Sequence, residues 1–508
     1  MSRLGLLTLL LSPPVLAQEA EEPEVPALSA EARTEAMSSY LEYLQKGDLD
    51  GATDELLAML DDETLADLHG EAYLNLAMQL EAKGFRVAAL RAYTEAIARD
   101  GERTAPEMGR AVTLAKEVGH PDDLAHALFR QMGAPMSNDT RAAVSMMTAR
   151  YHLQRDNLGE AAGLLYTVGK NSDLYADSRN LLGVVLTHQG RPDAALAPFA
   201  EAQAIGRAQE RGDDWNNMLT LNLARAFFTA KNWTQSVYHY QQVERGSLFW
   251  PEAQFERSWA HFRADDMTGT LATLMSPDSP FFDDWYFAEA HLLRVYALFM
   301  MCKFPDASSS IDAFAERYEP MNEELAQAQS ALDPSGAWAE VVAAREGSPT
   351  SLPSAVLRPF LIEERFSDAI RAVDMVDEDL KQVSSLQSDA LAAQVTSWTE
   401  EARSEILDLH GERVLRHAQS VRIELDEMLE GVQMTRLDII NLEAQMYERA
   451  AATGSMDYGD PIGKLRDLKR RRSRSWVWPF EGEFWVDELG YYQIDARPDC
   501  PSGMAGGS

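Results

Sequence analysis

Residues 179–202 read RNLLGVVLTHQGRPDAALAPFAEA. Leu182, Gly183 and Leu186 fall on one helical face. Gln189-Gly190-Arg191-Pro192 then breaks the helix, and Pro192 is well placed to open the next one. On that second helix Ala195, Phe199 and Ala202 recur at spacings of four and three. Small side chains at Gly183 and Ala195 let two helices approach closely, while Leu182, Leu186 and Phe199 fill the space around the contact. The stretch predicts a helix–turn–helix hairpin with apolar surface left at both ends, so it needs neighbours.

Those neighbours are present. Tyr73, Leu76, Ala77, Leu80, Ala89, Tyr93 and Ala96 repeat the pattern around Lys83-Gly84. Leu223, Ala224, Phe227, Ser236, Tyr240 and Val243 repeat it again around Lys231-Asn232. Small residues paired across a turn, with an aromatic four beyond the second, resemble the tetratricopeptide repeat (TPR) family over a little over half the chain. Weaker copies have their turns at Gly47-Asp48, Gly119-His120-Pro121, Asp156-Asn157 and Asp265-Asp266, and a last hairpin spans Ala290 to Tyr318. Anchored on Ala52, Ala89, Ala161, Ala195, Ser236 and Ala307, several gaps measure about 34 to 41 residues, the repeat length expected of such hairpins. The reading is about eight hairpins between Ser29 and Pro320.

The resemblance implies an all-α right-handed superhelix whose first helices line a concave face. Polar positions there are candidates for holding an extended peptide or a carboxylate: Asn75, Gln79, Arg179, Asn180, Asn217, Asn222, Arg225, Arg257 and Arg294. Asn180, Asn222 and Arg225 lie in the cleanest repeats.

The remainder divides by composition. Residues 1–17 carry Arg3, an apolar run from Leu4 to Leu11 and the cleavage pattern Val15-Leu16-Ala17, which predict a secretory signal peptide. Residues 18–28 form an acidic, proline-bearing leader before the repeats at 29–320. Residues 321–362 contain Asp333-Pro334-Ser335-Gly336 and Pro353 and read as a linker region. Residues 363–460 read as a long helical hairpin or coiled coil. Leu407, Val414, Val421, Met428 and Leu442 recur at multiples of seven, with Ala418, Leu425, Val432, Ile439 and Met446 offset by four. Ser397-Trp398-Thr399-Glu400 has capping-box spacing, which predicts a helix start there and favours the hairpin over a homodimer. Residues 461–508 combine the basic run Lys469 to Arg474 with a dense aromatic segment holding Trp476, Trp478, Phe480, Phe484, Trp485, Leu489, Tyr491 and Tyr492. So much apolar surface must pack on the protein or on a partner. The whole layout looks similar to envelope TPR proteins of predatory and gliding bacteria.

The formal net charge of −35 argues against a general nucleic-acid binder, because phosphate would be repelled. Two cysteines, Cys302 and Cys500, make neither a disulfide framework nor a zinc site; they either bridge the tail to the repeats or stay as separate thiols. The sequence holds no HExxH, GxSxG or P-loop. His410 and His417 are seven apart on one helix, too far for a shared metal. No catalytic residue, cofactor or metal is expected. The reading is a periplasmic or otherwise exported non-enzymatic scaffold in a bacterial envelope assembly. It binds protein or peptide partners through Asn180, Asn222, Arg225 and Arg257 and through Trp476, Trp478, Phe480 and Trp485. The alternative is a periplasmic chaperone that transiently holds unfolded envelope clients. A cell-wall enzyme in the tail would have only Glu481, Glu483, Asp487 and Glu488 to work with.

Overall fold

The structure, a computed structural model, describes residues 34–35, 37–119 and 122–453. The expectations for the signal peptide, the leader, the basic-aromatic tail and Cys500 lie outside these residues. Among the described residues the regular structure is entirely helical. Eight hairpins come first. They are α1 (Ser38–Lys46) with α2 (Leu49–Asp61), and α3 (Ala66–Ala82) with α4 (Arg86–Arg99). After the short α5 (Gly101–Thr104) come α6 (Met108–Val118) with α7 (Asp122–Arg130), and α8 (Asn138–Gln154) with α9 (Leu158–Tyr166). Then follow α10 (Tyr175–His188) with α11 (Pro192–Ala208), and α12 (Asp213–Thr229) with α13 (Trp233–Gln241). The last are α14 (Trp250–Arg263) with α15 (Met267–Leu274), and α16 (Ala288–Met300) with α17 (Phe304–Ala331). Four more helices follow: α18 (Pro334–Arg345), α19 (Ser354–Ile362), α20 (Glu364–Gln382) and α21 (Asp389–Thr453).

One turn is used throughout. Gly47, Gly84, Gly119, Asp156, Gly190, Lys231, Asp265 and Cys302 all have positive φ, and successive ones are 34 to 41 residues apart. In seven of them the next residue sends its N–H back to a carbonyl five residues earlier, as from Arg191 to Leu186 at 2.9 Å and from Asn232 to Phe227 at 2.9 Å. This bond closes a Schellman motif, satisfying a carbonyl that the ending helix leaves without a partner. The same residue then starts the second helix. Asp48, Asn232 and Asp266 do so by accepting from the N–H three residues on, as Asp48 does from Gly51 at 2.9 Å.

The hairpin contacts match the residue pattern. Leu182, Gly183, Leu186, Ala195, Phe199 and Ala202 are buried, and a Cβ on Gly183 would lie 2.5 Å from the Phe199 ring. Close approach of α10 to α11 therefore requires glycine. Each buried Leu or Phe contributes roughly 1.5–3 kcal/mol. The second helix of one hairpin packs on the first helix of the next, as α2 does on α3, α4 on α6, α9 on α10 and α13 on α14.

The chain forms two compact units, residues 1–210 with 364–408 and residues 211–363 with 409–508. In the first, α20 buries Phe366, Ala369, Ala372 and Val376, and lies across the turns of the second and third hairpins. A Cβ on Gly119 would meet the Asp368 carbonyl at 2.5 Å, and one on Gly84 would touch Gln382 at 3.5 Å. Further on, the start of α21 sets Trp398 against Tyr73, 6.2 Å between ring centroids, and Glu401 3.7 Å from Arg91. In the second unit, α21 runs antiparallel to α17. Asn322 bonds Asp426 at 2.7 Å, Gln329 accepts from Arg422 at 3.0 Å and Asp312 accepts from Arg436 at 2.5 Å.

Three local expectations are corrected. Residues 321–362 are not linker, because the end of α17 and the helices α18 and α19 occupy them. Pro320 sits inside α17 without ending it. A mid-helix proline removes one backbone bond, and here the turns beyond it are held by buried Leu325 and Ala328 and by the bonds to α21. Third, α21 starts at Asp389, where Ser388 Oγ accepts from the Leu391 N–H at 3.0 Å, and Ser397–Glu400 lies inside the helix. The heptad stripe is buried within the chain at Val414, Ala418, Val421, Leu425, Val432 and Ile439. Gly411, which interrupts it, is where α21 meets the Pro334 carbonyl, and a Cβ there would overlap that group.

Candidate partner-binding grooves

Several polar residues on first helices are used internally. Asn75 accepts from the Tyr40 hydroxyl at 3.1 Å, and Gln79 accepts from Thr53 at 2.6 Å. Arg179 is buried, donates to the Leu165 carbonyl and stacks on Tyr175 at 4.8 Å. Asn180 is only 7% exposed. Asn217 is buried as well and accepts from the Glu244 N–H at 2.9 Å, holding the loop after α13. Asn222 is half-buried. Each of these positions has the helical spacing that the repeats impose. Sequence periodicity places a residue on a face, but neighbouring helices decide whether water reaches it.

Arg225, in the second unit, is different. Its guanidinium grips Glu256 through Nε, at 3.0 and 2.9 Å to the two carboxylate oxygens, and through Nη2 at 2.7 Å. Nη2 also reaches Glu252 at 2.5 Å. Burial alone would lower the Arg225 pKa, but the two carboxylates outweigh it and raise it. Arg257, next to Glu256 on α14, is half-buried; its Nη1 is 3.5 Å from Gln254, and its Nε has no partner among the described residues. Next to this clamp stands a group of acids from three helices. Glu289 on α16 keeps its access to water, yet its carboxyl is pushed up to about 7 by desolvation and by Glu424 and Glu256. Burial also raises Glu424 on α21, which accepts from Ser420 at 3.1 Å. Neighbouring groups that exclude part of a carboxyl's water and carry like charge both favour its protonated form.

A groove of about 880 Å³ lies between the last hairpins of this unit. Its centre is a chain of bonded groups. His291 Nε2 faces the Asp278 carboxylate at 3.1 Å, and its Nδ1 is 2.7 Å from the Tyr318 hydroxyl. A carboxylate only accepts, so Nε2 carries the proton and Nδ1 accepts from Tyr318. Burial and Arg317 pull the imidazole down to about 4, and it is neutral at neutral pH. Arg294 closes on Asp278, and Arg317 reaches Asp283 at 3.3 Å. Around this core lie Lys303, Asp306, Ser309, Ala313 and Glu316. The walls thus carry both signs of charge, hydroxyls and the exposed thioether of Met275, which suits a polypeptide with mixed side chains. Arg294 was legible as a first-helix cation. The His291–Asp278–Tyr318 chain was not, because its members come from a helix, a loop and the following helix.

Among the described residues no group of three or more His, Cys, Asp or Glu side chains is arranged to hold a metal ion. His410 and His417 pack instead on Trp338 and Phe360, at 6.0 and 5.4 Å between ring centroids. Among the described residues no helix is long and apolar enough to cross a membrane. Trp476, Trp478, Phe480 and Trp485 lie outside the described residues.

The fold defines the class: an all-α array of repeated helical hairpins with polar grooves. No family model matches the chain, and no curated protein matches it. Among solved structures it is similar to a tetratricopeptide repeat protein from Parabacteroides merdae. That likeness has 14% identity and a TM-score of 0.27, and covers 57% of this chain and 94% of the other.

Proposed function

We propose that this chain is a non-enzymatic, exported scaffold that seats peptide or protein partners in the second unit and serves a bacterial envelope assembly. The observation that carries the reading is the open groove of about 880 Å³, with charge of both signs and exposed Met275 on its walls. Arrays of helical hairpins offer extended surfaces on which several modest contacts add up to useful affinity. Export rests on the predicted signal peptide, and mature protein should begin at Gln18.

The test is affinity purification of tagged full-length protein from its native envelope fraction. Ser309→Arg with Ala313→Arg places bulk on two exposed groove positions without touching the core. Specific partners should fall at least tenfold in the double variant, with its helical circular dichroism unchanged. Equal recovery of the same partners by both proteins would remove the groove as the contact surface.

A further inference from the structure

The far end of α21 is apolar on two sides. One side is the buried stripe of Val432, Ile439 and Met446. The other holds Met434, Leu437, Ile440 and Tyr447, each 54 to 64% exposed, with Ala444 also exposed between them. The spacings of three, three, four and three align these five side chains into one stripe, roughly 20 Å long at 1.5 Å per residue. Four large apolar side chains in a row on a helix call for a cover.

Three observations name the cover. The chain continues for 55 residues past Thr453, and Trp476 to Tyr492 carries eight large apolar side chains that equally need a surface. From Thr453 to Trp476 the chain can reach about 75 Å when extended, several times the distance back to the stripe. Charges also match: Asp438, Glu443 and Glu448 flank the stripe, and Lys469 to Arg474 precedes the aromatic segment, while Arg436 is engaged by Asp312. In addition, the register set by the pairs 312–436 and 322–426 brings Cys302, at the α16–α17 turn, level with Met446. A tail lying on the stripe would therefore carry Cys500 towards Cys302.

We propose that residues 476–492 fold back within the same chain and cover the 434–447 face of α21. The tail aromatics then complete this protein's own core, and the groove is left as the surface for partners.

Hydroxyl-radical footprinting of the full chain, read by mass spectrometry, tests this. Met434 and Tyr447 should label at least fivefold more slowly than their bare exposure implies, with exposed Met78 as the reference. Trp476, Trp478 and Trp485 should be protected with them, and the protection should not change with protein concentration. Leu437→Glu with Ile440→Glu should release both sets together. After reduction, glutathione disulfide should convert the two thiols into a Cys302–Cys500 bridge within one chain, leaving as two glutathione thiols. Labelling of Met434 and Tyr447 at the rate of Met78 would overturn the proposal. So would protection that appears only as concentration rises, or Cys500 bridging two chains, because either makes a second copy the cover.

Discussion

Asp379 is 2% exposed, and its carboxylate accepts the N–H of Val87 at 3.0 Å, with Arg86 and Ala88 also directed at it. These are the first amides of α4, whose own N-cap, Phe85, has no side chain able to accept. A residue almost three hundred positions away therefore caps the helix. Burial pushes the Asp379 carboxyl up to about 6, against the lowering effect of the amides. A carboxyl with a raised folded-state pKa binds its proton more tightly when folded. Its contribution to stability is fully present below about pH 4 and declines as pH rises to about 6, by about 3 kcal/mol. Asp379→Asn should flatten the stability–pH curve of the first unit between pH 4 and 6. Urea titrations at several pH values check this, and an unchanged slope would exclude Asp379 as its source. Asp379→Ala should flatten the curve in the same way and, at any one pH, cost about 1–3 kcal/mol more than Asp379→Asn, because the α4 amides lose their acceptor altogether.

At the scale of elements, the hairpin turns were the most legible feature. Gly47, Gly84, Asp156, Gly190, Lys231 and Asp265 mark them in the sequence, and all adopt the left-handed conformation that ends one helix and starts the next. A turn is a local object, specified by residues within five positions of one another, so its residue types suffice to find it. Helix length is less local. Pro320 looks like an ending and is not one, because packing of α17 on α21 sustains the helix past it. Gly411 shows the same dependence. In the heptad pattern it is a flaw, whereas in the fold it is the point at which α21 passes the backbone of α18. Gly411→Ala raises intrinsic helix propensity by up to about 1 kcal/mol, but its methyl meets a carbonyl that cannot swing aside. A net loss of about 1–3 kcal/mol is expected from overpacking, measured as a lower thermal midpoint of the full chain. A gain in stability would show that the two helices separate at no cost.

For the whole molecule, the chain returns to its beginning. Residues 364–408 belong to the same compact unit as residues 1–210, although more than 150 residues separate them in sequence. A fragment ending at Glu210 would lose the Asp379 cap and expose Val87, Leu90 and Leu124, which pack beside Trp398 and Ile406. It should melt well below the full chain or aggregate, and adding a chain of residues 364–408 should restore its helical signal. Circular dichroism melting checks this, and a fragment as stable as the parent would show that the arm is dispensable. The repeat count, the hairpin cores and the all-helical class followed from the sequence by itself, because periodicity and turn chemistry act over a few residues. Tertiary structure alone decided which polar side chains line a groove and which are consumed inside, as Arg294 and Asn217 illustrate. It also decided where the long helices lie, since burial, capping and desolvation depend on neighbours that arrive from distant parts of the chain.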